Sequence, residues 1–431
     1  GDVNGDGLAD LIVGAYRDAP NNYNSGASFV VFGKTDGTAV ELSTVELSEV
    51  DSGGFVINGV GVNDQSGVSV SSAGDVNGDG LADLIVGAPR DDPNGNSASG
   101  ASFVVFGKTD GTAVALSAIE ENSNAGGFVI NGVSAGDLSG NSVSSAGDVN
   151  GDGLADLIVG AWGDDSNGSY SGASFVVFGK TDGSAVALSL VQDGIGGFVI
   201  NGVSVNDLSG YSVSSAGDVN GDGFADLIVG AFGDDPNGRT DSGASFVVFG
   251  GQGSSATVGT SGADTLAGDS RANQLVAGLG NDTLVGNGGA DVLRGGGGDD
   301  VLAISDTNFA SLDGGLGTDT LRLDAALSLD FSSVANIKLQ SIERIDLTAD
   351  GGNSQVTMNL TDVLNLSENT NVLSVFGDAD DVVNLRNTSN GQVGAWSSSN
   401  SSGGVDTYVF SSGTSTLATV LIDDMVTTNV I

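Results

Sequence analysis

The feature that most constrains this chain of 431 residues is a nine-residue acidic loop that occurs four times. Its second copy reads Asp-Val-Asn-Gly-Asp-Gly-Leu-Ala-Asp, from Asp75 to Asp83, and runs directly into Leu-Ile-Val. The copies begin at Asp2, Asp75, Asp148 and Asp218, at steps of 73, 73 and 70 residues. A motif repeated at a nearly constant step predicts a chain built from copies of one structural unit.

The loop carries oxygen-bearing side chains at positions 1, 3, 5 and 9 and a glycine at position 6. Such a spacing surrounds a hard cation, with a backbone carbonyl at position 7 as a further ligand and glycine allowing the sharp turn. The loop resembles the first half of an EF-hand, but position 12 is Val86 or its equivalent instead of a bidentate Glu. The alternative is a turn closed by its own Asp side chains. We expect calcium ligands at Asp2, Asn4, Asp6, Leu8, Asp10, Asp75, Asn77, Asp79, Leu81, Asp83, Asp148, Asn150, Asp152, Leu154, Asp156, Asp218, Asn220, Asp222, Phe224 and Asp226.

The chain is strongly acidic, with 55 acidic and 12 basic residues and a formal charge of -43. This charge repels nucleic acids and anionic membrane surfaces, so we expect neither as a partner. A solvated acidic surface is one explanation, but the grouping of the acids in spaced motifs favours cation binding. Because crowded carboxylates repel each other, we expect several calcium ions with a structural role.

The chain contains no Cys and no His. Disulfides, zinc sites of the usual kind and Ser-His or Cys-His nucleophiles are thereby excluded. No apolar run reaches membrane-spanning length, and the N-terminus shows no signal-peptide pattern. Because the chain opens inside a loop motif, we expect it to be a fragment or a processed product.

Residues 1–252 form four units in which the same short segments recur in the same order. In the second unit these are a polar segment ending in Ser-Ser-Ala-Gly, the acidic loop with Leu-Ile-Val, then Ala-Ser-Phe-Val-Val-Phe, and finally Gly-Phe-Val-Ile. Four short strands joined by Gly-rich turns predict one propeller blade per unit. The uninterrupted apolar runs predict inner strands that are covered on both faces.

These residues resemble the FG-GAP repeats of integrin α-subunit propellers and of many bacterial surface proteins. The resemblance rests on the Asp-x-Asn-x-Asp-Gly-x-x-Asp loop and on Gly-Ala-Pro at Gly87 to Pro89. The family's Phe-Gly before the loop is replaced by Ser-Gly, as at Ser66-Gly67. The first unit lacks its leading strand and the last lacks its final one, which leaves too few blades for an ordinary closed ring. Either upstream blades are missing from this chain, or a second chain completes the sheet by pairing with an open edge.

A different period follows a Gly/Ser-rich linker at residues 253–258. Within residues 259–304, Asp or Asn recurs every nine residues, with Leu two places later. This pattern resembles the RTX nonapeptide of hemolysin-type secreted proteins. The resemblance implies a parallel β-roll in which Leu fills the centre and Asp closes the calcium sites. It implies ligands at Asp264, Asp282 and Asp300 on one edge, at Asp291 on the other, and at Asp319 in a lone further copy. Asn273 also lies on the second edge and lacks the charge of Asp, so that edge is expected to bind calcium more weakly.

Residues 305–431 show short apolar alternations that predict strands, with a short helix around Thr361 to Leu366. They resemble the C-terminal ends of type I-secreted bacterial adhesins, notably at Ser341 to Leu347 and at Leu421 to Asp424. The resemblance implies a β-rich cap and an export signal. The whole chain is thus predicted to be all-β: incomplete propeller blades, a parallel β-roll and a β cap.

Three functions are compatible with this sequence. The first is a secreted calcium-binding adhesion or surface protein of a bacterium, with an unknown protein or glycan ligand. The second is a subunit of an extracellular filament, sheath or surface layer that assembles through open β edges. The third is an enzyme, because some propellers resembling these are hydrolases or lyases. No catalytic motif supports it, so we expect a non-catalytic protein.

Overall fold

The computed structural model describes residues 1–21, 23–35, 37–46, 53–121, 126–220, 222–236, 239–240, 242–251, 256–334, 338–367, 370–387, 394–413 and 415–431. The chain divides into two compact units. The first contains Gly1–Asn150, Leu154–Val219 and Ala225–Gly250, and the second contains Gly151–Gly153, Asn220–Phe224 and Gly251–Ile431.

The first unit consists of short strands and three short helices. Its strands are β1 (Leu11–Ala15), β2 (Ala27–Val31), β3 (Gly54–Asn58), β4 (Ser69–Gly74), β5 (Asp83–Ala88), β6 (Ala101–Val105), β7 (Val114–Ala115), β8 (Gly127–Asn131), β9 (Ser142–Gly147), β10 (Asp156–Ala161), β11 (Ala173–Val177), β12 (Val186–Ala187), β13 (Gly197–Asn201), β14 (Ser209–Gly217), β15 (Asp226–Ala231) and β16 (Ala244–Val248). The helices are α1 (Leu42–Glu46), α2 (Leu116–Glu121) and α3 (Leu188–Gln192), and Pro93–Gly95 form a 3-10 turn.

Each sequence repeat forms one antiparallel sheet. The second repeat supplies β4, β5, β6 and β8, and the third supplies β9, β10, β11 and β13, in the order in which they pair. The first sheet begins at β1, and among the described residues the last sheet contains β14, β15 and β16. Strands β5 and β10 are buried along their whole length, because apolar residues cover both of their faces. The prediction of an all-β fold with four-stranded repeats is confirmed.

Neighbouring sheets are joined by contacts that recur from repeat to repeat. Strand β7 leaves its own repeat and pairs in parallel with β3 of the preceding sheet, and β12 pairs in the same way with β8. On the polar strands, the Val143 N–H donates to Ser69 Oγ, and the Val213 N–H donates to Ser142 Oγ. Hydroxyl groups on these strands therefore link one sheet to the next.

Helices α1 to α3 were not predicted. Each precedes the last strand of its repeat and turns an apolar pair inward, as Leu116 and Ile119 do in α2. These helices have only five or six residues, so their apolar period is too short to separate them from a turn.

The second unit is also built from strands. They are β17 (Thr257–Val258), β18 (Thr265–Ala267), β19 (Gln274–Leu279), β20 (Thr283–Val285), β21 (Val292–Gly297), β22 (Val301–Ile304), β23 (Ser311–Leu316), β24 (Thr320–Leu323), β25 (Ser328–Asp330), β26 (Leu339–Gln340), β27 (Arg344–Asp346), β28 (Gln355–Met358), β29 (Val372–Phe376), β30 (Val382–Leu385), β31 (Ala395–Ser402), β32 (Val405–Ser412), β33 (Ser415–Asp423) and β34 (Thr427–Val430). Phe331–Ser333 form a 3-10 turn, and the helix α4 (Leu360–Leu366) confirms the short helix expected there.

Strands β17 to β24 form a parallel roll of two sheets. One sheet contains β18, β20, β22 and β24, and the other contains β17, β19, β21 and β23. Leu266, Leu284, Leu302 and Leu321 stand side by side in the first sheet. Thr257 and Val258, which fall in the expected linker, pair with β19, whereas residues 253–255 of that linker lie outside the described residues.

The roll continues past residue 304 without a break in its sheets. Strand β24 pairs with β27, β27 with β29 and β29 with β33, all in parallel. A further parallel sheet contains β25, β28, β30 and β34. One hydrophobic cluster runs from Leu275 to Val426, so the roll and the C-terminal coils share a core. In the described parts of the chain, no helix is long and apolar enough to cross a membrane.

Candidate metal centres

In the acidic loop between β4 and β5, the first carboxylate binds the loop's own backbone. Oδ1 of Asp75 accepts the N–H groups of Gly78 and Asp79 at 2.7 and 3.0 Å, and Oδ2 accepts the Gly80 N–H at 2.8 Å. Glycine is required at positions 4 and 6, where φ is +77° and +90°. The turn is thus closed by its own side chain, which was the alternative to metal binding considered from the sequence.

The carboxylate at position 9 holds two segments together. Both oxygens of Asp83 accept backbone N–H groups at 2.8 Å, one from Val76 and one from Gly107, which follows β6. The same pair of bonds occurs in every copy: Asp10 with Val3 and Gly33, Asp156 with Val149 and Gly179, and Asp226 with Val219 and Gly250. We call this pair of bonds the position-9 clamp.

The clamp residues are deeply buried. Asp83, Asp156 and Asp226 are 0% exposed. Burial raises the pKa of Asp83 to about 8, against the lowering effect of its two N–H donors. The glycine donor was missed in the sequence, although Phe-Gly follows the third strand in all four repeats and could have indicated it.

The third and fourth loops are divided between the two compact units. Asp148, Asn150, Leu154, Asp156, Asp218 and Asp226 belong to the first unit, and Asp152, Asn220, Asp222 and Phe224 belong to the second. In the fourth copy, Asn220 Nδ2 donates to Asp222 Oδ2 at 2.8 Å. The equivalent bond joins Asn77 to Asp79 in the second copy. Positions 3 and 5 thus contact each other in both copies.

The roll brings its acidic residues into a row, which we call the acidic row: Asp264, Asp282, Asp300 and Asp319. Each lies just before a strand of one sheet, and its N–H donates to Oδ1 of the next carboxylate, 18, 18 and 19 residues later. Oδ2 of Asp282, Asp300 and Asp319 is buried without a hydrogen-bond partner among the described residues. Asp319 is therefore the next member of the row and not a lone copy.

The acidic row brings buried carboxyl groups close together, and a bound hard cation would neutralise their charge. Burial, together with neighbouring carboxylates, raises the pKa of Asp300 to about 6 and that of Asp319 to about 7. Glu343 continues the row, because its Oε2 accepts the Asp319 N–H at 2.9 Å. Glu343 was not predicted, since it follows Asp319 by 24 residues and no nine-residue period leads to it.

The opposite edge of the roll holds fewer acids. Oδ1 of Asp291 accepts the Asn273 N–H at 2.9 Å, which repeats the arrangement of the acidic row. Burial raises the pKa of Asp291, and Asp306 and Asp269 raise it further. Asp306 comes close through the turn after β22, which the nonapeptide pattern does not cover.

Within the described ranges, no three acidic side chains come together as one metal cluster. In the acidic loops, the carboxylate oxygens accept hydrogen bonds from backbone N–H groups, although each oxygen keeps a second lone pair. The acidic row differs, because three buried carboxylate oxygens there have no hydrogen-bond partner within the part of the chain that the structure describes. A buried carboxylate without a partner is costly, and oxygen donors are the ligands that calcium prefers. The row therefore fits calcium, and the individual ligands named from the sequence stay predictions.

Comparisons with known proteins agree with this description. The FG-GAP repeat family matches residues 1–31, 66–105, 139–177 and 209–248, and the RTX calcium-binding nonapeptide repeat matches residues 258–293 and 267–302. Integrin alpha-PS2 of Drosophila melanogaster is 30% identical over 169 residues, which are 38% of this chain and 11% of that protein. Integrin alpha pat-2 of Caenorhabditis elegans is 38% identical over 96 residues, which are 22% of this chain and 7% of that protein. Nonapeptide repeats of this kind bind calcium, and the chain carries four FG-GAP repeats followed by RTX calcium-binding nonapeptide repeats.

Proposed function

We propose that this protein is a secreted, calcium-stabilised adhesion or surface protein of a bacterium. Both repeat types point to an extracellular protein. The observation that carries the proposal is the row of buried, unpartnered Oδ2 atoms on Asp282, Asp300 and Asp319. Bound calcium would supply the positive charge that these oxygens lack.

The residues of the row would tie neighbouring coils together. Each carboxylate already accepts an N–H from the preceding coil through Oδ1, which fixes the direction of Oδ2. The stacked coils leave no room for other side chains on their glycine-rich turns: a Cβ on Gly298 would lie 1.9 Å from the Gly280 carbonyl oxygen. Calcium therefore acts on a rigid, preformed turn, and its binding stabilises the folded roll.

The test is thermal unfolding of the wild-type protein and of Asp300→Asn, with added calcium and with a chelator. The asparagine keeps an oxygen to accept the Asp282 N–H and loses the ionisable Oδ2. Calcium at about 100 times its dissociation constant should stabilise the wild type by about 2.7 kcal/mol for each site. We expect the gain to be smaller in Asp300→Asn.

The matched control is Asp299→Asn, which removes the same charge from the adjacent exposed residue. Asp299 Oδ1 accepts the Thr318 N–H, a bond that asparagine also makes. This variant should respond to calcium as the wild type does. The proposal is wrong if calcium leaves the unfolding of the wild type unchanged, or if both variants lose the response equally.

A structural filament or surface layer is the second candidate, and the edge strands of the described sheets favour it. Strand β1 ends its sheet with Leu11 67% and Val13 43% exposed, and β16 ends another with Val247 48% exposed. Edges with exposed apolar side chains can pair between copies of a chain. Electron microscopy of the purified protein distinguishes the two candidates, because discrete particles at all concentrations would exclude the filament. Leu11→Lys should prevent any filament that uses the β1 edge.

A further inference from the structure

We propose that the C-terminal coils hold a calcium site of their own, built around Asp350 and Asp381. Both residues lie outside the four acidic loops and outside the matched nonapeptide repeats. The site would connect two coils of the sheet that contains β25, β28, β30 and β34. It does not depend on the acidic row, which belongs to another sheet.

The two carboxylates come from neighbouring coils. Asp381 directly precedes β30, and Asp350 lies in the turn that leads into β28. These strands pair in parallel, with Gln355 beside Val382. The turns before them are therefore stacked, as the turns of the nonapeptide coils are.

Asp381 repeats the geometry of the acidic row. Its Oδ1 accepts the N–H of Ser354 on the preceding coil at 3.0 Å, as Oδ1 of Asp300 accepts the Asp282 N–H at 2.7 Å. A glycine α-carbon also faces each carboxylate: a Cβ on Gly377 would lie 2.8 Å from Asp381 Oδ2, and a Cβ on Gly295 would lie 2.4 Å from Asp300 Oδ2. The same arrangement thus recurs 27 residues along the coil instead of 18.

Asp350 supplies an oxygen without a partner. The residue is 9% exposed, and its Oδ2 is buried with no hydrogen-bond partner among the described residues. Its Oδ1 accepts the Gly352 N–H at 2.9 Å, which fixes the carboxylate in the turn. Asp381 is 0% exposed, and its turn lies beside the Asp350 turn, because the Leu347 N–H donates to the Phe376 carbonyl oxygen at one end and the Val382 N–H donates to the Ser354 carbonyl oxygen at the other. Two buried carboxylates therefore lie on adjacent turns of neighbouring coils.

Two further acids add to the negative charge of this turn. The Asp378 N–H donates to Asp381 Oδ2 at 2.9 Å. The Asp380 N–H donates to Asp378 Oδ1 at 3.4 Å, so these two acidic residues are adjacent in the turn. None of the ion pairs between described residues involves any of the four. Such a turn would bind a divalent cation that prefers oxygen ligands, with carbonyl groups or water as further ligands.

The test counts the calcium ions bound to the full chain, by native mass spectrometry or by metal analysis after buffer exchange. Asp350→Asn is the informative variant, because its amide oxygen still accepts the Gly352 N–H and only the unpartnered Oδ2 is replaced. We expect one calcium ion fewer than in the wild type. Asp424→Asn, which removes one charge from an exposed residue of the same C-terminal part of the chain, should bind as many as the wild type. Circular dichroism checks that all variants are folded.

Hydrogen exchange gives a second readout that needs no variant at this site. Calcium should slow exchange of the Ser354 and Asp378 amides, and it should do so in Asp300→Asn as well. An unchanged ion count in folded Asp350→Asn, or no calcium effect on these amides, overturns the proposal. If Asp300→Asn still lowers the calcium response, the proposed function stands without this site; if neither variant changes calcium binding, both proposals fail.

Discussion

Replacing Asp83 by alanine tests whether position 9 of the acidic loop acts as a clamp in the absence of metal. The change leaves the N–H groups of Val76 and Gly107 without their acceptor. Each orphaned buried donor costs about 1–3 kcal/mol. The hydrogen bond to Val76 is buried, but the hydrogen bond to Gly107 is only partly buried. Removing a buried carboxyl group also removes the free-energy cost of its own desolvation, which offsets part of the loss. We therefore expect a loss of about 2–4 kcal/mol in the free energy of unfolding.

The assay is urea unfolding in the presence of a chelator, in a Trp396→Phe background. Trp162 is then the one remaining tryptophan, and it lies in the first unit. Hydrogen exchange should show faster exchange at Val76 and Gly107. Asp79→Ala is the control, because Asp79 is exposed and should cost less than about 1 kcal/mol.

Two results would refute this reasoning. One is an Asp83→Ala variant that, without calcium, is no less stable than Asp79→Ala. The other is a loss of stability that appears only when calcium is present, because that result would mean that Asp83 stabilises the fold mainly as a metal ligand and not through its two backbone hydrogen bonds.

Three further predictions concern the roll. Without calcium, the free energy of unfolding should fall as pH rises from about 4 to about 7. In the folded roll, burial raises the pKa of Asp300 to about 6 and that of Asp319 to about 7, whereas in the unfolded chain both carboxyl groups lose their protons near the ordinary Asp pKa of 3.8. Thermal melts across this pH range in a chelator would show a flat profile if the reasoning is wrong. Leu302→Ala should cost about 2–5 kcal/mol in chemical unfolding, because Leu302 is 0% exposed in the core of the roll. Gly296→Ala should destabilise the protein far more than Gly351→Ala. Both glycines have positive φ, but only at position 296 would the added Cβ lie 2.2 Å from a carbonyl oxygen. Equal melting temperatures of the two variants would contradict this.

The local patterns were enough to predict much of the fold. Uninterrupted apolar runs of three or four residues between Gly-rich turns identify strands such as β5 and β6, because apolar runs and turn chemistry act over a few neighbouring residues. The nine-residue period likewise predicts the Leu ladder and the first three members of the acidic row, since equal coils bring residues 18 apart into register.

What the sequence did not determine depends on pairing between distant segments. The Asp83 clamp joins residues 24 apart, and although Phe-Gly recurs in every repeat, only the pairing of β5 with β6 brings Gly107 to Asp83. Asp319 and Glu343 join the acidic row through coils of 19 and 24 residues, so no constant period leads to them. The sequence by itself thus determined the repeats, the strands and the acidic character of their turns. Only the tertiary structure decided which carboxylates face a backbone N–H and which are left without a partner, because coil length and strand register set that choice.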